Sequence, residues 1–150
     1  MQKISKIIAT LFFLGYSPLA PGTLASIAAV GVYLLVKGNT PLYTFLTLAF
    51  LILGFWSSGK ASREFPQKDP PQIVIDEFSS LFIVYIFVHF SWKLLIIGFV
   101  LFRLFDILKI PAIKKLESLP SGYGIMLDDI AAAILANLVL QVLRFSPISF

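Results

Sequence analysis

The chain has no cysteine, a single histidine and few charges: Asp, Glu, Lys and Arg together make up 13% of its 150 residues, where soluble domains approach a quarter. The missing thiols exclude disulfides, thiolate metal sites and cysteine nucleophiles. With His89 alone, a metal site built on two histidines of one chain is excluded too. The sequence also lacks an internal repeat, a low-complexity tract and a basic stripe. Its formal charge of +4 comes from twelve Lys and Arg residues scattered between apolar runs, which argues against nucleic acid as a partner.

What is present is apolar: 58% of the residues are hydrophobic and 15% aromatic. This is the composition of an integral membrane protein, and the length leaves little for a separate soluble domain. The expected fold is all-α, a polytopic membrane bundle of about five membrane segments forming one domain over residues 1–150. Apolar runs fall at about 7–36 (interrupted by GYSPLAPGT), 42–57, 73–90, 92–108 and 125–143. Residues 4–14 either cross the membrane or lie in its interface. The start, with Lys3, Lys6 and a small residue at Ala20, has the outline of a signal peptide, but Pro21 after the supposed cut disfavours cleavage.

Lys and Arg alternate 2, 1, 3, 1, 3, 1 through the successive connections, which places the N-terminus in the cytoplasm. On that topology SPLAPGT, IVIDEF, FRLFD and GIMLDD all fall at the cytoplasmic side. His89 falls on the opposite face, and Trp56 and Trp92 read as interface anchors.

Five of the eight carboxylates, Asp76, Glu77, Asp106, Asp128 and Asp129, sit in or beside these apolar runs. An ionisable group at the centre of a membrane helix costs roughly 2.5–3.5 kcal/mol, so each needs an interface, a partner or a cation. Asp128 and Asp129 are adjacent on a helix and point about 100° apart, an arrangement that magnesium, which retains waters, can bridge. The pair equally fits acids favoured by a helix N-terminus. Asp76 and Glu77 repeat the pattern at another helix start, after the loop acid Asp69, and two such pairs on one face would repel unless a cation or shared protons intervened. Arg103, Asp106 and Lys109, at i, i+3 and i+6, form an ion-paired helix face or offer a phosphate fork, a point charge and a further ligand. Ser17, Gly22 and Thr23 lie where SPLAPGT breaks an apolar run and restarts a helix near Thr23; the freed N–H groups fit a phosphate, as Thr23 fits a plain N-cap. Ala25, Ala28, Ala29, Gly31 and Ala131 to Ala133 allow close helix packing.

The order SPLAPGT, KDPPQIVIDEF, FRLFDILKIP, GYGIMLDDI resembles the phosphatidylglycerophosphatase A family from Ser17 to about Ala133. The chain has Lys109-Ile110-Pro111 where that family often shows Lys-Pro, and GYG at 122–124 where a double glycine is usual. The resemblance implies a magnesium-dependent phosphatase of the bacterial inner membrane, acting in phospholipid biosynthesis. It would remove the terminal phosphate of phosphatidylglycerophosphate to give phosphatidylglycerol. It places the family's acidic motifs on Asp76, Glu77, Asp106, Asp128 and Asp129, and its basic positions on Arg103 and Lys109. Residues Asp76, Glu77, Asp128 and Asp129 are then the expected metal ligands, and Asp106, Asp128, Asp129, Arg103 and Lys109 the expected catalytic set. A water nucleophile and an aspartyl-phosphate both remain open, and no DxDx[TV] signature is present. The rival classes are a small ion- or proton-coupled transporter and a noncatalytic membrane subunit held by ion pairs.

Overall fold

Asn39 accepts the Leu42 N–H at 3.0 Å through its side chain, and Pro41 occupies the first turn behind it, so the apolar run that follows is launched as a helix. The structure, a computed structural model, describes residues 2–67, 69–108, 111–120 and 122–144. Its helices are α1 (Gln2–Ala9), α2 (Pro21–Val36), α3 (Thr40–Ala61), α4 (Ile75–Val84), α5 (Trp92–Leu108), α6 (Pro111–Glu117) and α7 (Gly122–Arg144). No strand occurs among the described residues, and the all-α expectation holds.

The expected count of five membrane segments is borne out only in part. Among the described residues, two helices are long and apolar enough to cross a membrane, Thr40–Glu64 and Gly122–Arg144. The first expected run splits. Its opening helix α1 has eight residues, about 12 Å against the ~30 Å of a hydrocarbon core, so residues 4–14 do not form a spanning helix. The chain then turns through Leu11, Phe12 and Phe13, all at positive φ, and α2 restarts at Pro21, two residues ahead of Thr23. Proline heads the helix because the first N–H would be unbonded anyway. The third run yields only the ten residues of α4, about 15 Å long.

This short helix is the centre of the bundle. Phe78, Leu81, Phe82 and Val84 are buried around its circumference, with α2, α3, α5 and α7 packed about it. A helix that stops inside a bundle leaves carbonyls without N–H partners, a heavy cost away from water. Side chains from neighbouring elements cover them. Tyr43 donates its hydroxyl to Phe82 O, and Asn137 donates to Val84 O and Ile86 O, both at 2.9 Å. Gln141 adds a second bond to Ile86 O at 3.0 Å, and Arg144 reaches Phe87 O at 2.9 Å. Three polar residues spaced along the last turns of α7 thus finish a helix fifty residues earlier in the chain.

Small residues set the closest approaches. A Cβ on Gly122 would stand 2.3 Å from Gly59 N and 2.5 Å from Ser58 Oγ, so the first turn of α7 lies directly on α3. Ala25, Ala29, Ala132 and Ala133 are fully buried, as their expected packing role requires, whereas Gly31 faces open space. Outward, Leu35, Phe45, Ile52, Leu138 and Val142 are exposed on several helices. An apolar belt of this extent marks a membrane-associated protein. Lys37 caps one end of the belt over Phe90, 3.0 Å from the ring centroid, with Trp92 beside it. His89 is exposed at this same end.

Replacing Asn137 by leucine removes both donors while keeping the volume. The variant is expected to lose about 1–2 kcal/mol of stability, read as a lower midpoint of thermal unfolding in detergent micelles. An unchanged midpoint would mean that the α4 carbonyls do not depend on this side chain.

Candidate active site

The start of α4 is anchored before it presents any charge. Val74 donates its N–H to Ala9 O at 2.9 Å, tying the Pro70-Pro71 turn to the end of α1. Asp76 and Glu77 follow in the first turn of α4, as expected, where the helix dipole favours acids. Asp128 and Asp129 do not open a helix. Because α7 begins at Gly122, they lie nearly two turns inside it, both 3% exposed, and an N-terminal dipole cannot account for them.

From α5, Arg103 and Asp106 pair across one turn at 2.7 Å, and Arg103 also stands 3.8 Å from Glu77 Oε1. The guanidinium therefore links α5 to α4 as well as pairing within its own helix. Lys109 lies outside the described residues.

These elements converge on one cavity of about 260 Å³ at a single end of the bundle. Six of the chain's eight acids line it: Asp69, Asp76, Glu77, Asp106, Asp128 and Asp129. Carboxylate oxygens of Asp76, Glu77 and Asp129 lie within 4.8 Å of one another. Asp76 Oδ1, Glu77 Oε2 and Asp129 Oδ2 are buried with no hydrogen-bond donor among the described residues. In α4, which is outside the two long apolar helices, burial raises the Asp76 carboxyl well above the usual carboxylate range, with the Glu77 and Asp129 charges adding to it. Burial likewise raises Glu77, with Asp106 adding and Arg103 opposing.

Three such groups at this spacing ionise together only if positive charge lies between them. All the donors are oxygens, which suits a hard divalent ion such as magnesium. The close set is Asp76, Glu77 and Asp129. Asp128, expected as a fourth ligand, lines the cavity, and its Oδ1 accepts the Asp129 N–H at 3.1 Å.

The expected phosphate-binding residues divide. A Cβ on Gly22 would fall 1.9 Å from Glu77 Oε1 and 3.3 Å from Arg103 Nη2, so only glycine lets the first turn of α2 press on that pair. Thr23 lies beside Arg103 in an adjoining apolar groove. Ser17 is spent in a local turn, its hydroxyl bonded to both backbone groups of Leu19, and it reaches neither place. Asp69 is the residue whose role sequence reasoning did not see. Its signal was the Asp-Pro-Pro turn, which folds the loop back over the start of α4.

Together the fold and the cavity define an all-α, membrane-associated protein with an acidic, arginine-flanked site at one end of its bundle. The family model for phosphatidylglycerophosphatase A matches residues 7–144, and the chain belongs to that family. It is 36% identical to a phosphatidylglycerophosphatase A of Haemophilus influenzae, over 93% of this chain and 88% of that one. A protein of the same name from Escherichia coli is 30% identical, over 87% and 77%. A Bacteroides thetaiotaomicron protein provisionally named a phosphatidylinositol-3-phosphatase is 34% identical, over 93% and 92%. No solved structure matches the chain.

If carboxylate repulsion dominates the cluster, Asp129→Asn stabilises the protein when divalent ions are removed. The expected gain is about 1–2 kcal/mol, seen as a raised unfolding midpoint in micelles containing EDTA. A lowered midpoint would show that Asp129 contributes net attraction.

Proposed function

We propose that the protein is a magnesium-dependent phosphatase that hydrolyses the terminal phosphate monoester of phosphatidylglycerophosphate, yielding phosphatidylglycerol and inorganic phosphate. The observation that carries this reading is the close carboxylate trio, Asp76 and Asp129 buried and Glu77 half-buried, beside Arg103. The names of the relatives point the same way, since each specifies a phosphate on a lipid headgroup.

A phosphate monoester dianion resists nucleophiles, so its hydrolysis depends on charge neutralisation and positioning. Magnesium held by the three carboxylates would neutralise phosphoryl oxygens as a Lewis acid. Arg103 offers a planar fork for further phosphate oxygens, and Asp106 at 2.7 Å holds that fork in place. At the head of α2 the first helical bond runs from Leu24 N to Ala20 O, leaving the Gly22 and Thr23 N–H groups to face an anion. Asp128 lies in the cavity outside the close trio, placed to take a proton from attacking water. The water oxygen bonds to phosphorus, the bond from phosphorus to the glycerol oxygen breaks, and the departing alkoxide takes up the proton that Asp128 removed from the water, which returns Asp128 to its ionised form.

The placement is that of a multi-pass protein in the bacterial inner membrane with its site facing the cytoplasm. Among the described residues, chain order puts Lys3, Lys6, Lys60, Arg63, Arg103, Lys114 and Lys115 at the acidic end and Lys37, Lys93 and Arg144 at the other. A transporter is disfavoured, because its ion site belongs near mid-depth and the carboxylates here gather at one end.

The test is phosphate release from phosphatidylglycerophosphate in mixed micelles, with magnesium or with EDTA, beside the Asp129→Asn variant. Chelation and the substitution are each expected to cost about 100-fold or more in kcat. Full activity in EDTA would sink the metal assignment. Running phosphatidic acid and phosphatidylinositol 3-phosphate in parallel tests the headgroup, and faster release from either would move the substrate assignment to it.

A further inference from the structure

Resting on that phosphatase reading, we infer that the seam between α2 and α5 is an acyl-chain subsite, through which a phospholipid enters sideways from the membrane with its headgroup leading into the acidic cavity. Both helices lean on α4, yet they do not pack closely on each other among the described residues. What separates them is a groove with two hollows. The upper one, about 290 Å³, is lined by Thr23 of α2 and by Phe99, Arg103 and Ile107 of α5, among others. The lower one, about 200 Å³, is lined by Ile27 and Val30 of α2 and by Leu95, Ile96 and Phe99 of α5.

Two residues make these hollows parts of one path. Phe99 lines both, so the two hollows adjoin along α5. Ile107 lines the upper hollow and the acidic cavity alike, so the groove ends against the site. From Leu95 to Ile107 the helix rises about 18 Å, close to the ~15 Å depth of one leaflet's hydrocarbon. The walls are apolar except at the top. There Arg103 meets Glu77 and Asp106, and Thr23 supplies a hydroxyl.

That polarity matches one occupant. A hydrocarbon chain fits the lower and middle groove, and the anionic headgroup to which it is joined arrives beside the guanidinium. Bulk lipid needs no such alignment with the site, and a second protein copy would have no use for a charged upper end. The rim is open to the surroundings, with Ile96 62% exposed and Ile107 68% exposed, so entry requires no helix to move aside.

Because the chain has no cysteine, a single one can be placed and modified after folding. Ile96→Cys, in mid-groove, and Ile52→Cys, exposed on α3 away from it, are each treated in micelles with a benzyl methanethiosulfonate. Rates are then measured on dipalmitoyl phosphatidylglycerophosphate and on its water-soluble deacylated counterpart. Modification at residue 96 is expected to raise KM for the lipid about tenfold, with kcat and the soluble substrate changed by less than about twofold. The same reagent at residue 52 should change neither. Complete modification at residue 96 without a change in lipid KM would overturn the subsite, as would equal loss on both substrates or a shift in oligomeric state. Failure of the unmodified protein to cleave either substrate would instead overturn the phosphatase reading, and the subsite with it.

Discussion

The fold depends on keeping a half-length helix satisfied at both of its ends inside an apolar bundle. At its start α4 presents Asp76 and Glu77 to a cavity; at its finish it leaves carbonyls that no continuing turn can bond. Tyr43, Asn137, Gln141 and Arg144 supply the missing donors, and all but Tyr43 come from the last turns of α7. The helix that carries Asp128 and Asp129 near its beginning is thus the helix that closes α4 at its end. One rigid element sets both the depth of the acidic site and the termination of its central post.

Burying like charges opposes folding, and packing offsets it. The carboxylate cluster lies where α4, α5 and α7 meet, and the opposing stabilisation lies along α7, where Gly122 seats on Gly59, Ala132, Ala133 and Ala136 are fully buried, and Met126 presses against Gly54. Glu77 is shared between the carboxylate trio and Arg103, so a change at the α2 start is felt in the electrostatics of the site through Gly22. Sites that place repelling groups together in this way commonly trade stability for chemistry.

Much of this was legible along the chain. Composition and apolar runs specify a helical, membrane-associated protein because lipid admits no other use for such segments. The acids that converge were identifiable because an ionisable residue in an apolar run demands a reason. The ion pair of Arg103 with Asp106 follows from i, i+3 spacing alone. The segment count was less legible. Hydropathy registers residues 73–90 as a full run, but cannot register that donors from α7 let the helix stop after Val84. Nor does it show that residues 4–14 fold into a short helix and a turn.

Residue chemistry and periodicity are written along the chain: which segments are helical and apolar, which carboxylates are costly, and which family the motifs resemble. Folding in three dimensions settles which of those carboxylates lie within 4.8 Å of one another, that Asp69 joins the cavity while Ser17 does not, and that α2 and α5 stand apart to leave a groove. The physical reason is range. Propensity and patterning act over a few residues, whereas the close approach at Gly22 and the capping of α4 by Asn137 join positions about fifty residues apart, whose contacts exist only once the bundle has closed.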